Sequence, residues 1–320
     1  MSIVPKFTVV IPAFNAELTI NESIQSVLNQ QSSVDQIIVI DDGSTDNTGE
    51  IVKNLQLQSS VIEYVRQDNR GVSLARNKGL NLAKHENIFF LDSDDIWLPN
   101  KVKLHSSHLK IHPNCQGSFT NFILFNESIG CFVTANPYVN RKTLNSMNLS
   151  LDNARVNGSC SSFLGNRSAL LEIDGFEKSL TFGEDLDLWV RYAKKQDICD
   201  LESVGVAIRT NNTKVINQTS ANDLEISRLY FYIWAKNGIR IDKKNLRTSA
   251  RKILRADLRR IRFKPRKLFI EYPKLLINLN EKLFREIYGN QIYFYFRLFT
   301  DITFEFQKLI TLMVRKLSLN

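Results

Sequence analysis

Three carboxylates within four positions, Asp92, Asp94 and Asp95, end the apolar run Ile88-Phe89-Phe90-Leu91. Carboxylates packed that closely repel one another unless a cation or hydrogen-bond donors lie between them. Their oxygens are hard ligands that suit Mg²⁺ or Mn²⁺, and such ions commonly share their coordination with substrate phosphates. A solvated acidic turn capping the next helix is the plainer alternative, and the triplet alone does not decide between them. A second acidic turn, Asp41-Asp42-Gly43-Ser44-Thr45-Asp46, follows a second apolar run at Ile37–Ile40. A third acidic pair, Glu184-Asp185, follows Gly183 and opens a helical pattern, where the helix dipole favours negative charge. Leu186, Trp189 and Val190 would anchor that helix and fix both carboxylates.

The elements that must position these acids are legible from the spacing of apolar residues. Phe7–Asn15 reads as a buried strand broken by Pro12, which has no N–H to donate to a ladder. Ile20, Ile24, Val27 and Leu28 share one face of a following helix. Ile37–Ile40 and Ile62–Val65 read as strands, Ser73–Lys84 as a helix, and Ile88–Leu91 as a fourth strand. Strands alternating with helices predict right-handed βαβ units and a parallel sheet. In such a sheet the turns at 41–42 and 92–95 share one edge, so they open onto one cleft.

Beyond Trp97 the pattern is less regular. A helix opens near Lys101, Phe119–Phe125 and Cys131–Thr134 read as strands, and 157–162 is a loop of small residues. Arg167–Glu172 is helical and Asp174-Gly175 is a turn. His105, His108 and His112 fall on one helix face, which reads as partly solvated surface rather than as a metal site. Cys115, Cys131, Cys160 and Cys199 are widely spaced with no Cys-x-x-Cys pair. That spacing argues against zinc and against a disulfide scaffold, and fits a reducing compartment.

The 320 residues, 43% hydrophobic and 23% charged, suffice for a real core. The net charge of +9 is unevenly spread. Residues 225–320 hold 22 lysines and arginines against 8 acids, whereas residues 1–224 hold 20 against 25. Neither a signal peptide nor an apolar run of about 18 residues is evident, so no spanning helix is expected. Two regions follow: 1–224, and a basic helical region over 225–320.

Five segments, in order, resemble family 2 glycosyltransferases of the GT-A fold. They are Val10-Ile-Pro-Ala-Phe-Asn-Ala-Glu17, Ile40-Asp-Asp-Gly-Ser-Thr-Asp46, Asn69-Arg-Gly71 with Ala75-Arg-Asn-Lys-Gly79, Leu91-Asp-Ser-Asp-Asp95, and Gly183-Glu-Asp-Leu-Asp-Leu-Trp189. The resemblance covers roughly residues 7–195. It implies a Rossmann-like, mostly parallel sheet with flanking helices, divided within 1–224 into a nucleotide-binding half over about 1–97 and an acceptor half over about 98–224. It implies that Pro12, Ala13, Phe14 and Glu17 line the base and ribose of a nucleotide sugar, that Asp42 meets the uracil edge, and that Arg70 lies on the pyrophosphate side. Asp92 then stands near the ribose and Asp94 on a Mn²⁺ or Mg²⁺ ion. Asp185 becomes the catalytic base of an inverting reaction, with Glu184 assisting acceptor binding. The implied partners are a nucleotide-sugar donor, UDP-linked in the first instance, and a glycan or lipid-linked acceptor of bacterial-type surface-glycan biosynthesis (lipopolysaccharide or capsule). A dTDP- or GDP-sugar donor, or a non-catalytic sugar-nucleotide-binding protein of the same fold, are the alternatives. No Gln-x-x-Arg-Trp follows, a departure from processive synthases that favours transfer of one sugar.

In the basic region, Ile253, Leu254, Leu258 and Ile261 face away from Arg251, Arg255, Arg259 and Arg262. Phe299, Ile302, Phe306 and Ile310 form a second apolar stripe. Such helices either pack on the catalytic domain or dock on an anionic membrane surface. No nucleic-acid motif accompanies the charge, so no nucleic acid is expected. The expected place is the cytoplasm, with peripheral docking on the inner membrane face as the second reading.

Overall fold

β-branched and aromatic runs build the first half of the sheet. The computed structural model of the chain describes residues 5–126, 131–133, 159–180 and 183–210. Four strands, β1 (Phe7–Ala13), β2 (Gln36–Asp41), β3 (Ile62–Arg66) and β4 (Asn87–Phe90), run parallel in the order β3-β2-β1-β4. Helices α1 (Ile20–Leu28), α2 (Thr48–Gln58) and α3 (Val72–Leu82) connect them. β1 and β2 are buried along their whole length, which is why both read as continuous apolar runs. Gly79 lets α3 lie close on β1, since a Cβ there would stand 2.2 Å from Val10 Cγ1.

Pro12 does not break β1. The strand continues to Ala13, pairing Pro12 with Ile40 and Ala13 with Asp41. The carbonyl of Val10 accepts from Leu91 N, whereas that of Ala13 accepts from Asp42 N on the other side. Pro12, two residues after Val10, therefore turns its nitrogen toward the β4 side, where the ladder has ended at Phe90. No hydrogen bond is forfeited.

The second half comprises β5 (Ile96–Trp97), α4 (Lys101–Ile111), β6 (Gly117–Asn126), β7 (Cys131–Val133), β8 (Phe163–Asn166), α5 (Arg167–Glu172), α6 (Glu184–Ala193) and β9 (Ile198–Arg209). The nine-stranded sheet continues β4-β8-β6-β9-β5, with β7 paired to β6. Pairing here is mixed: β8 is antiparallel to both β4 and β6, while β6 and β9 are parallel. An α/β fold with flanking helices stands as expected, and its parallel part is the half that carries the two acidic turns.

Three expectations beyond Trp97 are corrected. His105 is not on a solvated face; it is fully buried, with Nδ1 2.8 Å from Ser118 Oγ and Nε2 3.1 Å from Lys101 Nζ. Burial pushes the pKa of both groups well down. The Lys101 Nζ also donates to the Ser162 carbonyl at 3.0 Å and lies over the Phe89 and Trp97 rings. Second, Cys115 and Cys199, 84 residues apart, form a disulfide, because the fold sets the chain before β6 beside β9. Third, the small-residue loop contains a 3-10 turn at Cys160–Ser162 that packs on β4, β6 and β9.

The chain divides into two units, Met1–Ser220 and Ala221–Asn320. Every described residue belongs to the first. The expected basic helices over 225–320 and their membrane contact lie outside the described residues. No helix among the described residues is long and apolar enough to cross a membrane.

Candidate active site

Beyond the carboxyl ends of β1, β2 and β4 lies a cleft of about 580 Å³. Pro12, Ala13 and Phe14 form one wall, and Phe14 leaves half of its surface exposed. Asp42, Asp92 and Asp94 face the same space, so both acidic turns do converge.

Adjacent aspartates in the β2 turn divide their roles. Asp41 is fully buried and accepts from Tyr64 Oη at 2.6 Å, Ser44 N at 2.8 Å and Arg66 at 3.2 Å. Burial alone would raise its pKa, but these donors outweigh it and hold the carboxyl below its ordinary value. Asp42 instead accepts from Arg70 N at 2.9 Å, Gly71 N at 2.8 Å and Gln67 Nε2 at 2.7 Å. Its carboxylate is thereby fixed at the cleft wall.

In the β4 turn, Asp95 is the structural member. Its Oδ2 accepts from Ser161 Oγ at 2.5 Å and its Oδ1 from Arg209 N at 3.2 Å. Burial and the Asp92 charge push its pKa well up. Asp94 is pushed up in the same way, by burial first and by Asp92 second, with Arg209 opposing. Two carboxylates facing one cleft, with the charge of Asp92 disfavouring ionisation of Asp94, are a hard-oxygen donor set, and a divalent cation held by them would relieve the repulsion. The residues present therefore fit such an ion.

Arg76 joins two acidic motifs far apart in sequence. It is 4% exposed, its Nη2 donates to Asp92 Oδ1 at 2.6 Å, and its Nη1 donates to Glu184 Oε1 at 2.8 Å. Buried Nε finds no partner among the described residues. The first turn of α6 is thus held against the β4 turn. Gly183, at φ 76°, makes the left-handed entry to α6 that most side chains would resist. Asp185 follows Glu184, and its Oδ1 accepts from Leu186 N at 2.6 Å. Burial, then the Glu184 charge, pushes the Asp185 pKa up to about 7, against Arg76 and the Leu186 N–H.

Not every residue singled out by sequence lines the cleft: Glu17, Arg70, Glu184 and Asp185 stand outside its lining, the last two joined to it through Arg76. Glu17 Oε2 accepts from Asn47 N at 3.0 Å and Asn47 Nδ2 at 2.9 Å, bracing the β2 turn. Arg70 meets the site through its backbone N–H to Asp42. Two residues without an assigned role in the sequence reading prove central. Arg76 is one, and it stands inside the quoted Ala-Arg-Asn-Lys-Gly segment. Arg209 is the other: it lines the cleft, its Nε donates to the Asp94 carbonyl at 2.9 Å, and its Nη2 donates to Glu22 at 2.6 Å.

Residues 8–170 match the family model described as glycosyl transferase family 2. The chain belongs to glycosyl transferase family 2. It is 30% identical over 194 residues to UDP-Glc:alpha-D-GlcNAc-diphosphoundecaprenol beta-1,3-glucosyltransferase WfgD of Escherichia coli, covering 60% of this chain and 71% of WfgD. It is 35% identical over 127 residues to glycosyltransferase GlyA of Streptococcus pneumoniae, covering 40% of this chain and 18% of GlyA. The chain therefore spans under a fifth of GlyA. Among solved structures it resembles S. aureus TarS 1–349 in complex with UDP-GlcNAc, with a TM-score of 0.58 at 19% identity, covering 86% of this chain and 79% of that chain. At that identity the likeness speaks for the GT-A fold.

Proposed function

We propose that this glycosyltransferase moves one sugar from a UDP-sugar to a hydroxyl of a glycan or lipid-linked acceptor, with inversion, in the assembly of a bacterial surface glycan. The observation that carries this reading is Arg76 bound to both Asp92 and Glu184, which holds the first turn of α6, and with it Asp185, a carboxylate of base strength, against the turn that bears Asp92. The uridine-linked donor and diphosphoundecaprenol acceptor in the name of WfgD support the choice of substrates. An acceptor on a lipid places the reaction at the cytoplasmic membrane face, and residues 225–320 supply basic charge for docking there.

Pro12, Ala13 and Phe14 would hold the base and ribose, with Asp42 on the uracil edge. Asp94, with Asp92 beside it, would hold a Mn²⁺ or Mg²⁺ ion. Such an ion, when bound, neutralises charge on the departing diphosphate. Asp185 accepts the proton of the acceptor hydroxyl as that oxygen bonds the anomeric carbon from the face opposite the leaving group. UDP departs with the electrons of the broken carbon–oxygen bond. One base and one displacement suffice, so the anomeric centre inverts. Arg76 keeps Glu184 and Asp92 from moving apart while this occurs.

Because Asp185 must be ionised to act, kcat/KM is expected to climb as pH rises through about 7 and then to level off. A steady-state profile measured from pH 5 to pH 9 checks this, and a flat profile would remove Asp185 as the base. Donor class is tested by a nucleotide-sugar panel with Mn²⁺, scored by donor hydrolysis. Turnover of a UDP-sugar above dTDP- and GDP-sugars supports the reading, and preference for either of the others overturns the donor assignment.

A further inference from the structure

At the sheet edge opposite the cleft, the chain gathers a second group of chemistry-bearing residues. β6 is antiparallel to β8, and β8 to β4, so β6 starts on the edge where β4 starts. Cys115 lies just before β6 and Cys199 is the second residue of β9. α4 ends over the same edge and delivers His108. The ligand atoms of His108, Cys115 and Cys199 all lie within 4.8 Å of one another. His112 stands next to them, its ring centroid 5.0 Å from that of His108.

The backbone holds these residues in place independently of the disulfide. His112 N donates to His108 O at 2.8 Å, Cys115 N to His112 O at 3.0 Å, and Gly117 N to Asp197 O at 3.1 Å. His108 Nε2 is buried and finds no hydrogen-bond partner among the described residues. Such an atom costs free energy unless something satisfies it.

We infer that His108, Cys115 and Cys199 form a binding site for a soft divalent cation of the zinc class when the two cysteines are thiols. Two sulfurs and one imidazole are a ligand set such a cation prefers, and His112 or a water supplies the fourth position of a tetrahedron. The group combines His108-x3-His112-x2-Cys115 from one short segment with Cys199 from a distant strand, a pattern with zinc-like local spacing. The disulfide and the metal are alternative states of one site. A dithiol reductant, itself oxidised to a disulfide, delivers two electrons and two protons and opens the Cys115–Cys199 bond. The incoming cation then displaces both thiol protons, leaving two thiolates and an imidazole on the metal.

The test uses full-length protein reduced with a phosphine, cleared of metal and titrated with Co²⁺ as a spectroscopic stand-in for zinc. One ion per chain is expected to bind with a thiolate-to-cobalt charge-transfer band and tetrahedral visible bands. The band should vanish in Cys115→Ser/Cys199→Ser. His108→Ala should weaken binding on the order of 100-fold, since losing even an outer partner of a metal ligand costs about 10–100-fold. Should the double serine variant fail to fold, wild-type protein loaded with Zn²⁺ gives a second reading. Mild oxidation should release one Zn²⁺ to a chromogenic chelator for each disulfide formed. A fully reduced wild type without the band, a band that survives the double substitution, or Zn²⁺ retained after oxidation would overturn the site.

Discussion

Asp185→Asn is expected to cut sugar transfer by about 10²–10⁴-fold, the usual contribution of a positioned general base. Nucleotide binding should remain, because the amide keeps the shape of the group and the cleft walls are untouched. Glu184→Gln is the control that can reverse the assignment: if it abolishes transfer while Asp185→Asn is active, Glu184 is the base. A stability signature accompanies the kinetic one. The folded pKa of Asp185 lies at about 7, above the ordinary 3.8, so its proton stabilises the fold most at low pH. That contribution is lost as pH rises from about 4 through 7. Asp185→Asn should therefore show a smaller fall in Tm across this window than the wild type, although Asp94 and Asp95 add loss of the same sign in both proteins.

Arg76→Ala is expected to be the most damaging single change in the cleft. It leaves the Glu184 and Asp92 carboxylates facing each other without the buried cation between them. Breaking a buried ion pair from one side costs about 3–5 kcal/mol. That is a large share of the stability of an ordinary domain. Arg76→Lys should recover only part of it, because a single ammonium cannot fork to two carboxylates as the guanidinium does. Denaturant melts of the three proteins check the order wild type, lysine, alanine. Equal midpoints for wild type and alanine would show that the bridge contributes nothing.

What sequence could and could not reveal follows from which interactions are local. Ile37–Ile40 and Ile88–Leu91 announce buried strands because both faces of a central parallel strand must be apolar. The acids that follow them sit at strand ends, so their shared cleft was legible too. Arg76 was not, since an arginine within α3 reads as a solvated helix position. Its burial depends on partners 16 and 108 residues away. His105 misled in a related way: Lys101 lies four residues earlier on the same helix, but Ser118 and the burial of the pair come from packing against β6. The Cys115–Cys199 pairing needed the parallel β6–β9 contact, which no periodicity encodes. Pro12 shows the converse, a local rule set aside because the neighbouring strand had already ended.

Asp92 and Asp94, in the turn after β4, would hold a divalent cation for a nucleotide diphosphate in the cleft beside Asp42. The most direct measurement is calorimetric titration of UDP into full-length wild type and Asp94→Asn, each with Mn²⁺ and with chelator. In wild type, Mn²⁺ should tighten UDP binding at least tenfold, or about 1.4 kcal/mol. Asp94→Asn should bind UDP equally with and without the ion, because an amide is a neutral and poorer ligand for a hard cation. UDP binding by wild type that is indifferent to Mn²⁺, or an undiminished Mn²⁺ effect in Asp94→Asn, would contradict the claim.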